Sequence, residues 1–131
     1  MIFVIDDDVV MGRCVARACR ERGGIDEDEV RVFTNGISAM DAIAEGVVPE
    51  LIFLDVLLDG PDGFTFLNEL VSYDDTAVVP VVIVTSLDIV GRDLVDYGVV
   101  GVLPKETMRP EEVGGYVLKY CVSGDGARDV E

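Results

Sequence analysis

The sequence predicts an α/β domain with a doubly wound, five-stranded parallel sheet in the order 2-1-3-4-5 and five helices on both faces. Three apolar runs without interruption, Ile2–Ile5, Leu51–Leu54 and 81–84, suit strands that are buried on both faces. Segments of helical period alternate with these runs, which is the pattern of a βα repeat. Each run ends in acidic or hydroxyl residues, and ligands of such sheets bind outside the carboxyl ends of the strands.

The first half of the chain holds three predicted strands and three predicted helices. The pair Gly23-Gly24 ends the first helix. Val30–Phe33 alternates in character and is predicted to be an edge strand, after which Asn35 turns the chain into the second helix. The apolar stripes of the three helices are Val10, Met11, Cys14, Val15 and Ala18, then Ile37, Met40, Ile43 and Ala44, then Phe64, Leu67, Leu70 and Val71.

The second half holds two strands and two helices. Pro80 opens the fourth strand, and a fourth helix is predicted from about Asp88 to Tyr97. Gly101 interrupts the next apolar run, which indicates a second edge strand. Pro110 suits the first position of the fifth helix. With the second and fifth strands at the edges, right-handed crossovers favour the order 2-1-3-4-5.

Length and composition predict one domain, at 1–121, followed by a polar, flexible tail or linker at 122–131. Half of the 131 residues are apolar, enough for a core without disulfide or metal staples. The three cysteines show no pairing pattern, and no histidine is present to activate one of them. The apolar runs are too short to span a membrane. We therefore expect a cytoplasmic protein without membrane contact.

The charge is strongly negative, with 26 acidic residues against 10 basic ones and a net charge of −16. Direct binding to nucleic acid is not expected, because phosphate contacts need clustered Lys and Arg. An acidic surface that keeps the protein in solution is the favoured interpretation. Adaptation to a salt-rich host is the alternative.

Three carboxylates are expected to meet at the ends of the strands. Asp6 and Asp7 follow the first strand, and Asp55 follows the third. Carboxylates ~4 Å apart repel by about 4 kcal/mol at an effective dielectric near 20, so a cation has to relieve them. Mg²⁺ favours a few carboxylates, waters and a phosphate oxygen, and an Asp beside a metal can accept a phosphoryl group.

Two further side chains suit a phosphoryl group at this edge. Lys105 follows the fifth strand and can place its ammonium on a phosphoryl oxygen, while the hydroxyl of Thr85 can donate to another. Taken singly, each of these residues is more often a helix cap, a turn or a surface charge. Their joint position after different strands of one sheet predicts a phosphoryl-transfer site.

The chain resembles the receiver domain of response regulators in two-component signalling, which has a flavodoxin-like fold. The resemblance extends over nearly the whole length. The elements that carry it are Ile5-Asp6-Asp7, Leu54-Asp55 followed by Asp62-Gly63, Thr85-Ser86 thirty residues after Asp55, and Gly98 leading to Leu103-Pro104-Lys105.

The resemblance implies a role for each residue of the acidic edge. Asp55 would be the phosphoacceptor. Mg²⁺ would be bound directly by Asp7, Asp55 and the backbone carbonyl of Leu57, and through a water by Asp6. Lys105 would bind a phosphoryl oxygen, as would Thr85.

The resemblance also implies partners. A histidine kinase or a histidine phosphotransfer protein would donate the phosphoryl group, and the domain would catalyse only its own phosphorylation and dephosphorylation. Phosphorylation would then change the face formed by the fourth helix, the fifth strand and the fifth helix, which is also a candidate dimer surface.

Three residues depart from the family pattern. Val102 stands where an aromatic switch residue is usual, and Glu106 replaces a proline that follows a cis bond. A cis bond before a residue other than proline costs about 2.5–4 kcal/mol. Asp59 replaces a proline near the rim of the site. These departures leave the phosphorylation chemistry complete and put the usual signal relay in question.

Two alternative functions remain open. A Mg²⁺-dependent phosphohydrolase that works through an aspartyl phosphate typically has a second Asp two residues after its nucleophile, and here that position is Leu57. A pseudo-receiver that signals without phosphate fits the departures but does not explain a complete acidic site.

Overall fold

A computed structural model describes residues 1–58, 63–86 and 94–121 and contains the predicted parallel sheet. All pairings are parallel and the strand order is 2-1-3-4-5, as predicted. Every residue of the first and third strands is buried, which explains why both are purely apolar. The strands are β1 Ile2–Ile5, β2 Val30–Phe33, β3 Leu51–Leu54, β4 Val81–Thr85 and β5 Val99–Pro104.

Within the described residues, one helix follows each of β1, β2 and β5, and two follow β3. The helices are α1 Val9–Gly23, α2 Gly36–Ala44, α3 Gly63–Val71, α4 Asp74–Ala77 and α5 Pro110–Tyr120, with 3-10 turns at Glu27–Glu29 and Val95–Tyr97. The short helix α4 has no counterpart in the prediction. Most of the predicted fourth helix lies outside the described residues, as does the predicted tail at 122–131. The division into a domain at 1–121 and a tail stays a prediction.

Both ends of α1 have the residues that a helix terminus requires. The Asp8 carboxylate accepts hydrogen bonds from the backbone N–H groups of Val10 and Met11, at 3.0 and 3.2 Å. Gly24 ends the helix with a φ of 72°, in the left-handed region where glycine is favoured. The helix therefore begins directly behind the carboxyl end of β1.

The helices cover the sheet in two layers. Helices α2 and α3 pack on one face, around Phe3, Ile52 and Phe66. Helices α1 and α5 pack on the other, around Phe53 and Val117. The middle of β2 is exposed, as predicted for an edge strand. The carboxyl edge of the three central strands is left between the two layers.

All three cysteines lie in the described part of the chain, and none of them forms a disulfide. Cys14 is exposed on α1, whereas Cys19 and Cys121 are buried. Burial raises the pKa of the Cys19 thiol from 9.0 to about 12, so it is protonated at neutral pH. Within the described residues, no helix has the length and apolar character to cross a membrane.

Candidate phosphoryl-transfer site

The pairing of β1 with β3 puts two carboxylates side by side. Ile5 lies opposite Leu54 in the parallel register, so the next residues, Asp6 and Asp55, leave the sheet at the same level. The backbone N–H of Asp55 donates to the carbonyl of Ile5 at 2.9 Å, which extends the ladder by one residue. Both carboxylates are therefore fixed by the sheet itself.

The ammonium of Lys105 bridges these two carboxylates. Its Nζ atom lies 2.8 Å from Asp55 Oδ2 and 3.0 Å from Asp6 Oδ2. Asp6 and Asp55 are only 2% and 3% exposed, so both charges are held away from water. The pair of ionic hydrogen bonds offsets the cost of burying them.

Burial and charge act in opposite directions on the pKa values in this group. Burial raises the pKa of Asp6, and the hydrogen bonds from the Asp8 N–H and from Lys105 only partly oppose it. For Lys105, burial lowers the pKa, but the hydrogen bonds and charges of Asp55 and Asp6 outweigh it, so the pKa is raised. Lys105 is thus a permanent cation at physiological pH.

Asp7 completes a cluster of three carboxylates. Asp6, Asp7 and Asp55 each offer one oxygen, and the three oxygens lie within 4.8 Å of one another. Hard oxygen donors at this spacing are the kind that Mg²⁺ takes in proteins. We call Asp6, Asp7, Asp55 and Lys105 the acidic pocket.

The loop after Asp55 is ordered against the same carboxylate. The backbone N–H of Leu57 donates to Asp55 Oδ1 at 2.9 Å, so both oxygens of Asp55 accept a hydrogen bond, one from Leu57 and one from Lys105. The Leu57 side chain is 49% exposed and contributes no polar atom to the pocket.

Thr85 lies beside Lys105 at the end of the neighbouring strands. It is the last residue of β4, is 1% exposed and pairs with Pro104 of β5. The backbone N–H of Lys105 donates to the carbonyl of Thr85 at 3.0 Å. All five predicted side chains thus lie at one edge of the sheet, and their roles in catalysis and metal binding stay predictions.

Gly63 has a structural role that the sequence motif did not explain. Its backbone N–H donates to the carbonyl of Val56 at 3.1 Å, where α3 begins against the loop after Asp55. A Cβ atom at this position would overlap the backbone of Val56 and lie 2.8 Å from the carbonyl oxygen of Asp55. The only signal in the sequence is a glycine at the start of a predicted helix.

Two of the three departures from the family pattern can be located. Val102 lies on β5 and is 42% exposed. The peptide bond between Lys105 and Glu106 is trans, like every other peptide bond of the described residues. Asp59 lies outside the described residues, and so does Asp62 of the quoted motif.

The family model of the response regulator receiver domain matches residues 2–113. The chain belongs to this family. In general, receiver domains are non-enzymatic signalling modules of two-component systems. They interact with histidine kinases or phosphotransfer proteins. The match covers every strand of the sheet and most of the described helices.

A curated relative of this receiver domain is protein-glutamate methylesterase/protein-glutamine glutaminase 3 of Rhodospirillum rubrum. The two are 32% identical over 93 residues, which cover 71% of this chain and 23% of the relative. The receiver domain therefore spans less than a quarter of that relative's length.

Solved structures share the fold of the receiver domain. A putative response regulator from Chloroflexus aurantiacus has a TM-score of 0.75 and 24% identity, with coverage of 91% of this chain and 94% of the other. The receiver domain of sensor histidine kinase PA1611 from Pseudomonas aeruginosa has a TM-score of 0.74 and 21% identity, with the same coverages of 91% and 94%. In that structure a magnesium ion is coordinated in the active site cleft.

Proposed function

We propose that this receiver domain accepts a phosphoryl group on Asp55 from a phosphohistidine and then binds different partners. The observation that carries the proposal is the buried Asp55 carboxylate, 2.8 Å from the Lys105 ammonium and grouped with the carboxylates of Asp6 and Asp7. Membership of the receiver family supports it.

The transfer consists of one bond made and one bond broken. A carboxylate oxygen of Asp55 attacks phosphorus, the P–N bond to the donor imidazole breaks, and the ring nitrogen keeps the electron pair and takes up a proton. The Leu57 N–H and the Lys105 ammonium hold the Asp55 carboxylate in place before the attack. As the phosphoryl group arrives, we expect Lys105 to move its hydrogen bond to a phosphoryl oxygen and the Thr85 hydroxyl to donate to another.

Asp6, Asp7, Asp55 and the carbonyl of Leu57 would hold Mg²⁺ in this pocket. The three clustered carboxylates suit this ion, and the related PA1611 receiver domain carries one. When bound, Mg²⁺ would neutralise charge on the carboxylates and on the phosphoryl oxygens. The high negative charge of the pocket is the feature of this chain that calls for such an ion.

We propose a histidine kinase or a histidine phosphotransfer protein as the donor, in the cytoplasm, where unpaired thiols such as Cys14 persist. The face that changes partners, or forms a dimer, would comprise the predicted fourth helix, β5 and α5. Exposed Val100, Val102 and Leu118 on β5 and α5 support an interaction surface there.

Acetyl phosphate tests the proposal. In Mg²⁺, intact mass spectrometry should show one added phosphoryl group on the wild type and none on Asp55→Asn. The exposed Asp28→Asn variant, which makes the same chemical change elsewhere, should be labelled like the wild type. Equal labelling of Asp55→Asn would reject Asp55 as the acceptor.

Turnover of a phosphomonoester separates this function from that of a phosphohydrolase. We expect no release of phosphate beyond the amount set by Asp55 phosphorylation and its own loss. Many turnovers per molecule that disappear in Asp55→Asn would instead identify an enzyme.

A further inference from the structure

A groove between α2 and α3 shares no residue with the acidic pocket. It has a volume of about 250 Å³. Its apolar lining includes Phe66, partly buried Met40 and Ile37, which is 56% exposed. Asp41 on α2 and Glu69 on α3 line the same groove. We call these five residues the α2–α3 groove.

Each acidic residue of the groove lies about one helical turn beyond an apolar residue of the same helix. Asp41 follows Ile37 by four residues on α2, and Glu69 follows Phe66 by three on α3. Both helices return antiparallel to the strands on the same face of the sheet, so they run in the same direction. Both carboxylates therefore lie towards the same end of the groove, Asp41 about 6 Å along its helix from Ile37 and Glu69 about 4.5 Å along its helix from Phe66.

The two carboxylates are available for a partner. Among the described residues, neither Asp41 nor Glu69 forms an ion pair. A second copy of the chain is a poor occupant, because each copy has a net charge of −16. The volume is below the roughly 300–1,000 Å³ of small-molecule sites, which favours one or two anchoring side chains.

We propose that the α2–α3 groove binds an amphipathic, basic helix of a partner protein. An apolar side chain of that helix would pack on Ile37 and Phe66. An Arg or Lys one turn along the partner helix would pair with Asp41 and Glu69, because side chains four apart lie on one helical face. This binding uses no residue of the acidic pocket and does not require phosphorylation of Asp55.

Fluorescence anisotropy with synthetic peptides tests the groove. The probe is a labelled helical peptide with Leu and Arg four residues apart, compared with a shuffled isomer and with a Leu/Glu version. We expect the first peptide to bind more tightly than the other two. The double variant Asp41→Asn/Glu69→Gln should raise its Kd by roughly three- to tenfold, and Ile37→Ala should raise it as well.

The control variant Glu27→Gln/Asp28→Asn removes the same charge from the exposed turn before β2. It should leave the Kd unchanged within a factor of about two. An equal loss in this control, or equal binding of the shuffled peptide, would show general attraction to an acidic surface and overturn the proposal. Labelling by acetyl phosphate should be unchanged in Asp41→Asn/Glu69→Gln. A loss of peptide binding at the groove is thereby distinguished from a loss of phosphorylation at Asp55.

Discussion

The ammonium of Lys105 offsets part of the negative charge of the acidic pocket. It reaches Asp6 and Asp55 across 99 and 50 residues of sequence, and this is possible because β1, β3 and β5 all end at the same edge of the sheet. Removing the cation would leave two nearly buried carboxylates with backbone hydrogen bonds from Asp8 and Leu57 but without a positive charge. The same cation would serve the phosphoryl group in the proposed transfer, so stability and function depend on one side chain.

We predict that Lys105→Met destabilises the fold in Mg²⁺-free buffer by about 3 kcal/mol at pH 7. Removing one partner of a buried ion pair leaves the other charge buried without compensation. The loss should be smaller near pH 5, where Asp6, whose pKa is raised by burial, takes up a proton more readily. Denaturant unfolding of the variant and the wild type at both pH values measures the difference in the free energy of unfolding.

The matched control is Lys119→Met, on the exposed surface of α5. It should change stability by no more than about 0.5 kcal/mol. Mg²⁺ should raise the melting temperature of Lys105→Met more than that of Lys119→Met, since the ion takes over the neutralisation. Equal changes in stability in the two variants would contradict the prediction that the Lys105 ammonium stabilises the buried carboxylates.

Because the thiol of Cys19 is buried, we predict that the stability of the fold falls at alkaline pH. The pKa of this thiol is raised from 9.0 to about 12 in the fold, so its contribution to stability is fully present below pH 9 and is lost as the pH rises towards 12. In a thiol-exchange assay at pH 8, exposed Cys14 should react rapidly and Cys19 only after unfolding. Loss of the rapid phase in Cys14→Ser is the control, and rapid reaction of two thiols in the native wild type would contradict the burial.

The order of the sequence was sufficient to predict which residues share one edge of the sheet. Asp6, Asp55 and Lys105 each follow a strand and Thr85 ends one, and parallel strands end at the same edge. The bridge from Lys105 to two carboxylates could not be predicted, because it depends on side-chain conformations over long sequence separations. The fit of Gly63 against Val56 depends equally on the backbone path.

Strand β5 and helix α5 pack closely at Gly101, which has no side chain. A Cβ atom at Gly101 would overlap the hydroxyl of Tyr116, so the tyrosine occupies the space that a side chain on β5 would need. The ring of Tyr116 also stacks on Tyr120, with ring centroids 6.5 Å apart. This contact joins α5 to β5, the strand that directly precedes Lys105.

We predict that Gly101→Ala destabilises the domain by about 1–3 kcal/mol, the usual cost of overpacking. Gly115→Ala is the matched control, because nothing lies within 4 Å of its added Cβ atom and it replaces glycine inside a helix. That variant should gain about 0.5–1 kcal/mol. Chemical denaturation compares the two.

Combining Gly101→Ala with Tyr116→Ala tests the cause of the loss. The double variant should be more stable than the sum of the two single changes indicates, by at least about 0.5 kcal/mol, because the clash is gone. Additive losses would show that the Tyr116 contact does not limit Gly101.

The long elements were more predictable than the short ones. The purely apolar runs of β1, β3 and β4 and the capped helix α1 carry strong local patterns. Helix α4 has only four residues, too few for a periodic signal. The irregular register between β4 and β5, where Val81 faces Val99 but Val82 faces Gly101, depends on packing between the strands.

The net charge of −16 makes the folded molecule repel itself. We predict that KCl raises the melting temperature by several degrees, because the screening length falls from about 10 Å at 0.1 M to about 3 Å at 1 M. If the acidic surface only confers solubility, the rise in melting temperature should level off near 1 M KCl. Sucrose, which screens no charge, is the control solute.

A different response would change the interpretation of this surface. A melting temperature that continues to rise well above 1 M KCl would favour adaptation to a salt-rich host. A melting temperature that does not rise at all would show that repulsion is not a significant part of the stability of the fold.

Chemical mapping of the phosphorylated residue tests most directly whether Asp55 is the phosphoacceptor. The wild type is treated with phosphoramidate, a small donor with a P–N bond, in Mg²⁺, and the acyl phosphate is reduced with borohydride to homoserine before peptide analysis. We predict homoserine at position 55, and its loss when Mg²⁺ is chelated. Homoserine at another aspartate, the corresponding alcohol at a glutamate, or unchanged labelling of Asp55→Asn would contradict the assignment of Asp55 as the phosphoacceptor.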